Sequence, residues 1–461
     1  MNCKDIYENV KYLELFNAIN LEINNVTIDT RKVVNGDCYI GIKGENFDGN
    51  LLYEEAFEKG ATLAILENIT VTDSLREYLI KNNKSIVLVE NTIEALGQIA
   101  KYKRSLFTNP VVAITGSAGK TSTKDMVYSV LKQKLNVKKT IGNQNNHIGL
   151  PLTMMKLDKS YDALVLEMGM NHRNEISYLT KIARPNIAII TNVGTAHIGN
   201  LGSRENILKA KLEILEGLEP NGILIINNDN DLLHEWYLNN NHDFKVITVG
   251  IKNKSDYMAL NIKELENGSY FTCNDNNYFV PAPGEHFIYN SLVAIAVANI
   301  FNISYELVKN GIKDFELSSN RMHLINLNGI MVIDDSYNAN YDSMSYAIKY
   351  LGTLSGRNIA VLGTMKELGD YSSKIHLDIG ALISKEEIDI LVTVGDEAKY
   401  INEGAIQNGF SKSNSYHFDS NEDVIKFLNE IKKNDDNILI KASNSLKFKE
   451  IVEGITKNQL S

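Results

Sequence analysis

Cysteine, proline and long apolar runs are scarce in this sequence. Its three cysteines, Cys3, Cys38 and Cys273, lie far apart without a CxxC pair, which argues against a disulfide framework or a zinc site and favours a reducing compartment. No apolar run approaches the roughly 20 residues of a membrane-spanning helix, and the first residues lack the apolar stretch of a signal peptide. We therefore expect a cytoplasmic protein that does not enter a membrane.

Basic residues are also in the minority, because the formal net charge is −10 at pH 7. This balance argues against nucleic-acid binding but leaves room for a local basic site for an anionic ligand. The chain of 461 residues is too long for one ordinary core. It contains no repeats and no low-complexity linker, so domain boundaries must come from changes in hydrophobic pattern. We expect a monomer with several domains.

The hydrophobic pattern predicts an α/β protein of three domains. Short strands and a helix at Leu51–Lys59 occur first, and alternating strands and helices follow, with near-continuous apolar runs such as Ile187–Val193 that suit buried parallel strands. Within this part, residues 256–282 are Asn-, Gly- and Tyr-rich and predict a hairpin. A second alternating series lacks GxGxxG, so a dinucleotide cofactor is not supported. The predicted domains are a small mixed α/β N-terminal domain (1–90), a central P-loop ATPase domain with a parallel sheet (91–318) and a C-terminal Rossmann-like doubly wound domain (319–461).

The segment VVAITGSAGKTSTKDM predicts a phosphate-binding loop between a buried strand and a helix. Gly116 and Gly119 allow backbone N–H groups to close around phosphate oxygens, Lys120 can reach the β- and γ-phosphates, and Thr121 offers its hydroxyl to magnesium. The alternative is an ordinary glycine turn with a solvated lysine. A GKT sequence directly after an apolar strand favours the phosphate loop.

Two further polar residues follow predicted strands. Glu167 ends the strand in DALVLEMG, and His197 follows the strand in IAIITNVGTAH. Ligands of open α/β sheets bind at the carboxyl ends of strands, so both side chains are candidates to face the same nucleotide as Thr121. A carboxylate suits magnesium, whereas histidine is a less usual partner. Either residue taken alone is equally compatible with an ordinary polar strand end.

A lysine lies within the apolar stripe of a predicted helix, Ser203–Leu218. Lys211 falls among leucines and isoleucines, whereas Lys209, Glu213 and Glu216 are placed on the other face. Burial lowers the pKa of a lysine, and a neutral amine can react with carbon dioxide to form a carbamate. The alternative is a lysine whose stem is buried while its ammonium reaches water.

Together these segments resemble the Mur ligase family over nearly the whole chain. The matching blocks are IDTRKVVNGDCYIGIKGENFDGN, TGSAGKTSTK, TIGNQNNHIGLPLT, LEMGMNHRNEI, ITNVGTAHIGNLGSRENILKAKLEI, DDSYNAN and VLGTMKELGD. The resemblance implies an ATP-dependent ligase that adds D-alanyl-D-alanine to UDP-N-acetylmuramoyl-tripeptide through an acyl phosphate. Such a reaction belongs to the synthesis of peptidoglycan precursors for the cell wall.

The resemblance also implies roles for individual residues. ATP would be bound by Gly116, Ser117, Ala118, Gly119, Lys120, Thr121, Ser122, Asn290, Arg321 and Asp335, with Asn290 at the adenine. Two magnesium ions would be held by Thr121, Glu167, His197 and a carbamate on Lys211. Lys120, His197 and Lys211 would serve catalysis. The UDP-linked substrate would contact Thr30, Arg31, Asn46, Asp48, Asn145 and Asn146, and the incoming dipeptide would lie near Asn338 and Asn340.

Three departures from the family pattern concern mainly the last domain. Tyr341 stands where proline is common, GEHFIYN alters the usual histidine–asparagine pair, and Lys441-Ala442-Ser443-Asn444 replaces Lys-Gly-Ser-Arg. They bear on dipeptide specificity rather than on the ATP chemistry. The competing hypotheses are a sibling ligase for another amine, a non-catalytic paralogue that binds UDP-peptides or nucleotide, and a generic P-loop NTPase or kinase. The last would leave residues 1–90 unexplained.

Overall fold

The computed structural model describes residues 1–318 and 320–456, which form three consecutive α/β units. The strands of the first unit are Glu14–Phe16 (β1), Val26–Thr27 (β2), Cys38–Ile40 (β3), Leu63–Leu66 (β4) and Ser85–Leu88 (β5). Its helices are Cys3–Asn9 (α1), Tyr53–Glu58 (α2), Asp73–Lys81 (α3) and Thr92–Ser105 (α4), with 3-10 turns at Thr30–Lys32 and Gly49–Leu52. The sheet order is β1-β5-β4-β3-β2, and only β1 is antiparallel to its neighbour.

The helix predicted at Leu51–Lys59 is wrong in its first turn. The side chain of Asp48 accepts the Asn50 N–H and starts a 3-10 turn, and regular α-helix begins only at Tyr53. The cap thus imposes a tighter first turn than apolar spacing alone indicates.

The second unit is built on a seven-stranded, all-parallel sheet. Its strands are Val111–Thr115 (β6), Val137–Lys139 (β7), Ala163–Glu167 (β8), Ile187–Ile190 (β9), Ile223–Asn227 (β10), Lys245–Gly250 (β11) and Tyr257–Met258 (β12). The helices among and after them are Lys120–Leu131 (α5), Gly149–Met155 (α6), Glu175–Ala183 (α7), Ile198–Leu201 (α8), Arg204–Leu212 (α9), Asp231–Asn239 (α10), Glu285–Ile300 (α11) and Tyr305–Lys313 (α12). The order β12-β11-β10-β9-β6-β8-β7 places β6 between β9 and β8. Their carboxyl ends therefore share one edge, the usual ligand position in such sheets.

The prediction of a single hairpin over residues 256–282 is incomplete, because the structure forms more than one hairpin there. The short strand β12 extends the parallel sheet, and the rest forms a separate antiparallel sheet of Leu260–Leu265 (β13), Gly268–Cys273 (β14) and Asn276–Val280 (β15). The β14–β15 turn consists of Asn274 and Asp275, with φ of 47° and 61°. Two consecutive left-handed residues match the twist of a tight hairpin, which is why a second hairpin forms.

The third unit has a six-stranded sheet covered on both faces. Its strands are His323–Leu327 (β16), Ile330–Asp334 (β17), Arg357–Gly363 (β18), Ile390–Val394 (β19), Ser415–Phe418 (β20) and Asp436–Lys441 (β21). Its helices are Tyr341–Gly352 (α13), Ser372–Ile383 (α14), Lys399–Gln407 (α15), Asn421–Ile431 (α16) and Lys449–Thr456 (α17). The order is β16-β17-β21-β18-β19-β20, with only β16 antiparallel. Along β21, Ile438 and Ile440 pack in the α16–α17 core while Leu439 faces the opposite core, as period-two burial requires.

The third unit lies against the second, closed over the loop that joins β6 to α5. The Tyr350 hydroxyl on α13 donates to the Glu266 carbonyl at the β13–β14 turn (2.9 Å). The Gly199 N–H donates to the Glu367 carbonyl (3.0 Å). Within the described ranges, no helix combines the length and apolar character needed to cross a bilayer. All three cysteines are buried and unpaired.

Candidate active site

The loop after β6 is shaped by glycine and by one asparagine. A Cβ on Gly116 would lie 1.8 Å from Thr191 Oγ1, and Gly119 has φ of +79°, so both positions require glycine. The Asn192 side-chain oxygen accepts the N–H groups of Ser117 (3.0 Å) and Ala118 (2.9 Å). Helix α5 then begins at Lys120, directly after the loop. The loop is thereby pre-shaped at a helix N-terminus, where anions bind favourably.

Lys120 lies at the mouth of this loop. Its ammonium donates to the Gly116 carbonyl at 2.7 Å. Desolvation by the surrounding protein lowers the pKa of Lys120, although the negative charge of Glu167 opposes the shift. An anion in the loop would restore the solvation that this ammonium has lost.

Glu167, at the end of β8, is the centre of a polar cluster. Thr121 Oγ1 donates to its Oε2 at 2.9 Å, and Asn145 Nδ2 donates to its Oε1 at 2.8 Å. The buried Lys124 ammonium lies 3.7 Å from Oε2. A hydroxyl and a carboxylate side by side are the oxygen donors that magnesium prefers. No group of three His, Cys, Asp or Glu residues around one point occurs among residues 1–318 and 320–456. A magnesium ion that keeps waters and phosphate oxygens needs no such cage.

His197 lines the same cleft from the loop after β9. Its backbone is left-handed, with φ of 64°, and its Nδ1 lies 2.5 Å from Oε2 of Glu367 in the third unit. The contact with His197 is the main reason that the pKa of Glu367 is lowered. The two strand-end residues predicted from the sequence are therefore at one edge of the sheet.

Lys211 is only 1% exposed and lies on α9 behind the cleft, which it does not line. Burial first, and the positive charge of Lys120 second, lower its pKa well below the usual value. In the described part of the chain, Lys211 makes no side-chain hydrogen bond or ion pair. The placement of Glu213 on the exposed face is wrong, because α9 ends at Leu212 and a 3-10 turn follows. Glu213 is buried and accepts the N–H groups of Asn174 and Ser177.

The far end of the cleft combines aromatic rings with unpaired polar atoms. Asn290 is 5% exposed; its side-chain oxygen accepts from Thr123 (2.8 Å), whereas its Nδ2 has no hydrogen-bond partner among residues 1–318 and 320–456. The His286 ring lies 4.1 Å from the Phe287 ring and 5.1 Å from the Tyr346 ring. Burial lowers the pKa of His286 to about 3, so this ring is neutral near pH 7. A neutral aromatic wall beside an unused amide donor suits a planar, hydrogen-bonding base.

The third unit contributes the opposite wall of the cleft. The buried Asp335 pairs with Lys441 (2.5 Å), yet desolvation keeps the pKa of Asp335 above its usual value. The guanidinium of Arg321 lies 4.0 Å from the centre of the Tyr337 ring. Asn340 caps α13 and its Nδ2 reaches the carbonyl of Ser117 in the phosphate loop (3.3 Å). These contacts tie the third unit directly to the loop.

One cleft of about 360 Å³ brings most of the predicted site residues together. From the predicted set it is lined by Ser117, Ala118, Gly119, Lys120, Thr121, Ser122, Asn145, Asn146, Glu167, His197, Asn290, Arg321, Asp335, Asn338 and Asn340. Thr30, Arg31, Asn46 and Asp48 belong to the first unit and do not line it. There Arg31 is paired with Asp29 at 2.9 Å, and Asp48 caps the Gly49–Leu52 turn.

The departures in the last domain occupy structural positions next to the cleft. Tyr341 is the first residue of α13. Asn444 donates its side-chain N–H to the Tyr337 carbonyl (3.0 Å), and its backbone N–H points to the Asn338 side chain (3.4 Å). Asn444 thus holds the segment that contains Asn338, the residue assigned to the dipeptide.

Residues of the site that received no role from the sequence include Asn192, Lys124, Lys441 and Glu367. Asn192 follows a predicted strand at the same sheet edge, and Lys124 lies one helical turn after Lys120. Position alone could therefore have indicated both. Glu367 lies in a block that carries the family resemblance, and Lys441 lies in the segment that departs from the family pattern; neither received a role.

Three models of known families match the chain. They are described as "Mur ligase family, catalytic domain" over residues 22–104, "Mur ligase middle domain" over 114–298 and "Mur ligase, glutamate ligase domain" over 320–444. The UDP-N-acetylmuramoyl-tripeptide–D-alanyl-D-alanine ligase of Bacillus subtilis is 38% identical over 95% of this chain and 94% of its own length. The Escherichia coli ligase of the same name is 32% identical over 95% of each chain.

Solved structures show the same architecture. A crystal structure of MurF from Acinetobacter baumannii matches with a TM-score of 0.89 and 27% identity, covering 99% of this chain and 98% of that one. MurF ligase from Thermotoga maritima in complex with ADP matches with a TM-score of 0.83 and 28% identity, covering 95% and 98%.

Proposed function

The chain belongs to the Mur ligase family, and from this premise we propose that it joins D-alanyl-D-alanine to UDP-N-acetylmuramoyl-tripeptide at the expense of ATP. Such a ligase supplies precursors for peptidoglycan. The observation that carries the proposal is the convergence of Lys120, the Thr121–Glu167 pair and His197 on one cleft, with the third unit closed over it.

The reaction needs an activated carboxylate, because a carboxylate oxygen is a poor leaving group. The terminal carboxylate of the tripeptide attacks the γ-phosphorus of ATP, ADP leaves, and an acyl phosphate forms. The amine of the dipeptide then attacks the acyl carbon, loses a proton, and inorganic phosphate leaves. Lys120 and the loop N–H groups neutralise phosphate charge, and alignment of the reacting groups supplies most of the remaining acceleration.

Magnesium, as two ions, belongs to the proposal because the donor set fits it. Thr121, Glu167 and His197 would hold magnesium, and a carbamate on Lys211 would help to hold the second ion. Bound magnesium would neutralise charge on the phosphate oxygens. The unpaired, buried amine of Lys211 supports the carbamate, since such an amine reacts in its neutral form.

The two other substrates would contact the flanking units and, for the UDP-linked substrate, the second unit as well. Thr30, Arg31, Asn46 and Asp48 would bind the UDP part, Asn145 and Asn146 the same substrate closer to the reacting end, and Asn338 and Asn340 the dipeptide. The proposed domains are 1–90, 91–318 and 319–461. The proposed protein is a monomer in the cytoplasm, where ATP and nucleotide-linked precursors are available.

Asn290 gives a direct test of nucleotide binding. We expect Asn290→Ala to weaken ADP binding about tenfold, because its free Nδ2 would lose one hydrogen bond to the adenine, a loss of about 1.4 kcal/mol. Isothermal titration calorimetry measures the change. Asn310→Ala, an exposed asparagine on α12, is the matched control and should bind ADP like the parent. If the parent, Asn290→Ala and Asn310→Ala all bound ADP with equal affinity, Asn290 would not be part of the nucleotide site.

The activity itself is tested by phosphate release. We expect release only when ATP, magnesium, UDP-N-acetylmuramoyl-tripeptide and D-alanyl-D-alanine are all present, with the ligated product visible by mass spectrometry. Because Tyr341, Ala442 and Asn444 depart from the family pattern, single amino acids such as glutamate and a diamino acid are tested in parallel. Faster release with one of these would identify a sibling ligase. Nucleotide binding without release for any amine would identify a non-catalytic paralogue.

A further inference from the structure

The Thr364–Asp370 segment carries part of the family resemblance, yet no role was assigned to it. It follows β18 in the third unit and crosses to the loop that contains His197 in the second unit. At its centre, Glu367 brings Oε2 to 2.5 Å from His197 Nδ1. An acidic side chain from one unit thus contacts an expected metal ligand of another.

The backbones on both sides of this contact are fixed in unusual conformations. His197 and Glu367 are both left-handed, with φ of 64° and 65°, a conformation that costs energy for residues other than glycine. The Gly199 N–H donates to the Glu367 carbonyl at 3.0 Å. A Cβ on Gly199 would lie 2.5 Å from the Gly369 nitrogen, so the two chains meet backbone to backbone. The surrounding packing therefore maintains a geometry that neither residue favours alone.

The contact determines how the imidazole can act. A carboxylate this close to Nδ1 favours the tautomer with the proton on that nitrogen and leaves the lone pair of Nε2 available for a metal ion, although within the described residues the contact does not have hydrogen-bond geometry. A carboxylate that orients a ligating histidine is a common supporting contact of metal sites.

We propose that Glu367 is a positioning residue that fixes the ring orientation and tautomer of His197, and that it does so only when the third unit is closed on the second. The inference rests on the proposed function. The metal site is then complete only in the closed state, so that an open molecule holding ATP has an incomplete site and does not transfer phosphate prematurely.

The same interface offers controls that separate this role from simple adhesion. Tyr371 donates its hydroxyl to the Gly202 carbonyl at 2.6 Å, so Tyr371→Phe removes an inter-unit bond without touching His197. Asp370 lies in the same segment, is exposed, and forms no side-chain hydrogen bond or ion pair with residues 1–318 or 320–456, so Asp370→Asn removes an equal charge. Glu367→Gln keeps an acceptor for the Nδ1 proton, whereas Glu367→Ala removes it.

The experiment titrates Mn²⁺ into the full chain with a non-hydrolysable ATP analogue and follows bound manganese by electron paramagnetic resonance. We expect Glu367→Ala to raise the half-saturating Mn²⁺ concentration about tenfold and Glu367→Gln to raise it less. Tyr371→Phe and Asp370→Asn should remain at the parent value. Small-angle scattering with the analogue reports closure of each variant, and thermal melting reports its fold.

Parent-like manganese binding in Glu367→Ala would overturn the inference. An equal rise in Tyr371→Phe would also overturn it, because the contact would then serve only adhesion between the units. If the parent itself bound no manganese with the analogue, the proposed function would fall, and the inference with it. The first two results leave the proposed function standing, so the failures are distinguishable.

Discussion

Ligation should fall about 1000-fold when Lys120 is replaced by alanine, a loss comparable to the removal of a main charge-stabilising group from an active site. The ammonium of Lys120 is the side-chain cation at the mouth of the phosphate loop, where it donates to the Gly116 carbonyl. No other residue of the loop can replace its charge during phosphoryl transfer. Phosphate release under saturating substrates measures the effect.

The fold should not suffer from this substitution. Desolvation lowers the pKa of Lys120, so this charge contributes little to the stability of the folded state. The matched control is Lys132→Ala at the other end of the same helix, where the side chain is exposed. Both variants should have the same melting temperature as the parent, and only Lys120→Ala should be inactive. Near-parental turnover of a folded Lys120→Ala protein would refute the assignment of the phosphate loop.

Replacement of Lys211 by alanine should lower turnover about 100-fold, as loss of a ligand-supporting group does in metal sites. Lys211 is buried and forms no ion pair with the residues that the structure describes, and burial lowers its pKa well below the ordinary value although the charge of Glu213 opposes the shift. If the working species is a carbamate, a small carboxylic acid can fill the space left by Lys211→Ala and restore part of the turnover. Acetate and formate titrations measure this rescue.

Two further measurements isolate the carbamate. Lys209→Ala removes an exposed lysine from the same helix and should retain full activity, with no response to acetate. Nuclear magnetic resonance with ¹³C-labelled bicarbonate should show a carbamyl carbon in the parent and none in Lys211→Ala. Absence of both the rescue and the carbamyl signal would mean that Lys211 acts as a plain buried amine or only supports packing.

Local signals in the sequence were sufficient to predict the position of the phosphate loop and of two strand-end residues beside it, Glu167 and His197. A strand, a glycine turn and a helix follow each other within one short segment, so Lys120 could be placed without tertiary information. Glu167 and His197 required one additional assumption, that their strands flank β6. The observed order β9-β6-β8 confirms the adjacency of these strand ends. Their roles as metal ligands remain predictions.

Contacts between distant segments could not be predicted in this way. Glu367 and His197 meet only because the third unit packs on the second. The hydrophobic periodicity of the sequence gives no information about such a contact. Glu213 was placed on an exposed face because a continuous helix was assumed. It is buried because two N–H groups at the start of α7 bind its carboxylate. Tertiary hydrogen bonds here override the pattern expected from a regular helix.

The three native thiols lie inside the protein core, and this has a practical consequence. Burial raises the pKa of Cys3, Cys38 and Cys273, the last to about 11, and thiolates are the form that reacts with alkylating dyes and oxidants. The native chain should therefore be silent towards maleimides while folded. Single cysteines introduced on the surfaces of the second and third units could carry a fluorophore pair without removal of any natural residue. Closing and reopening could then be timed in real time during turnover.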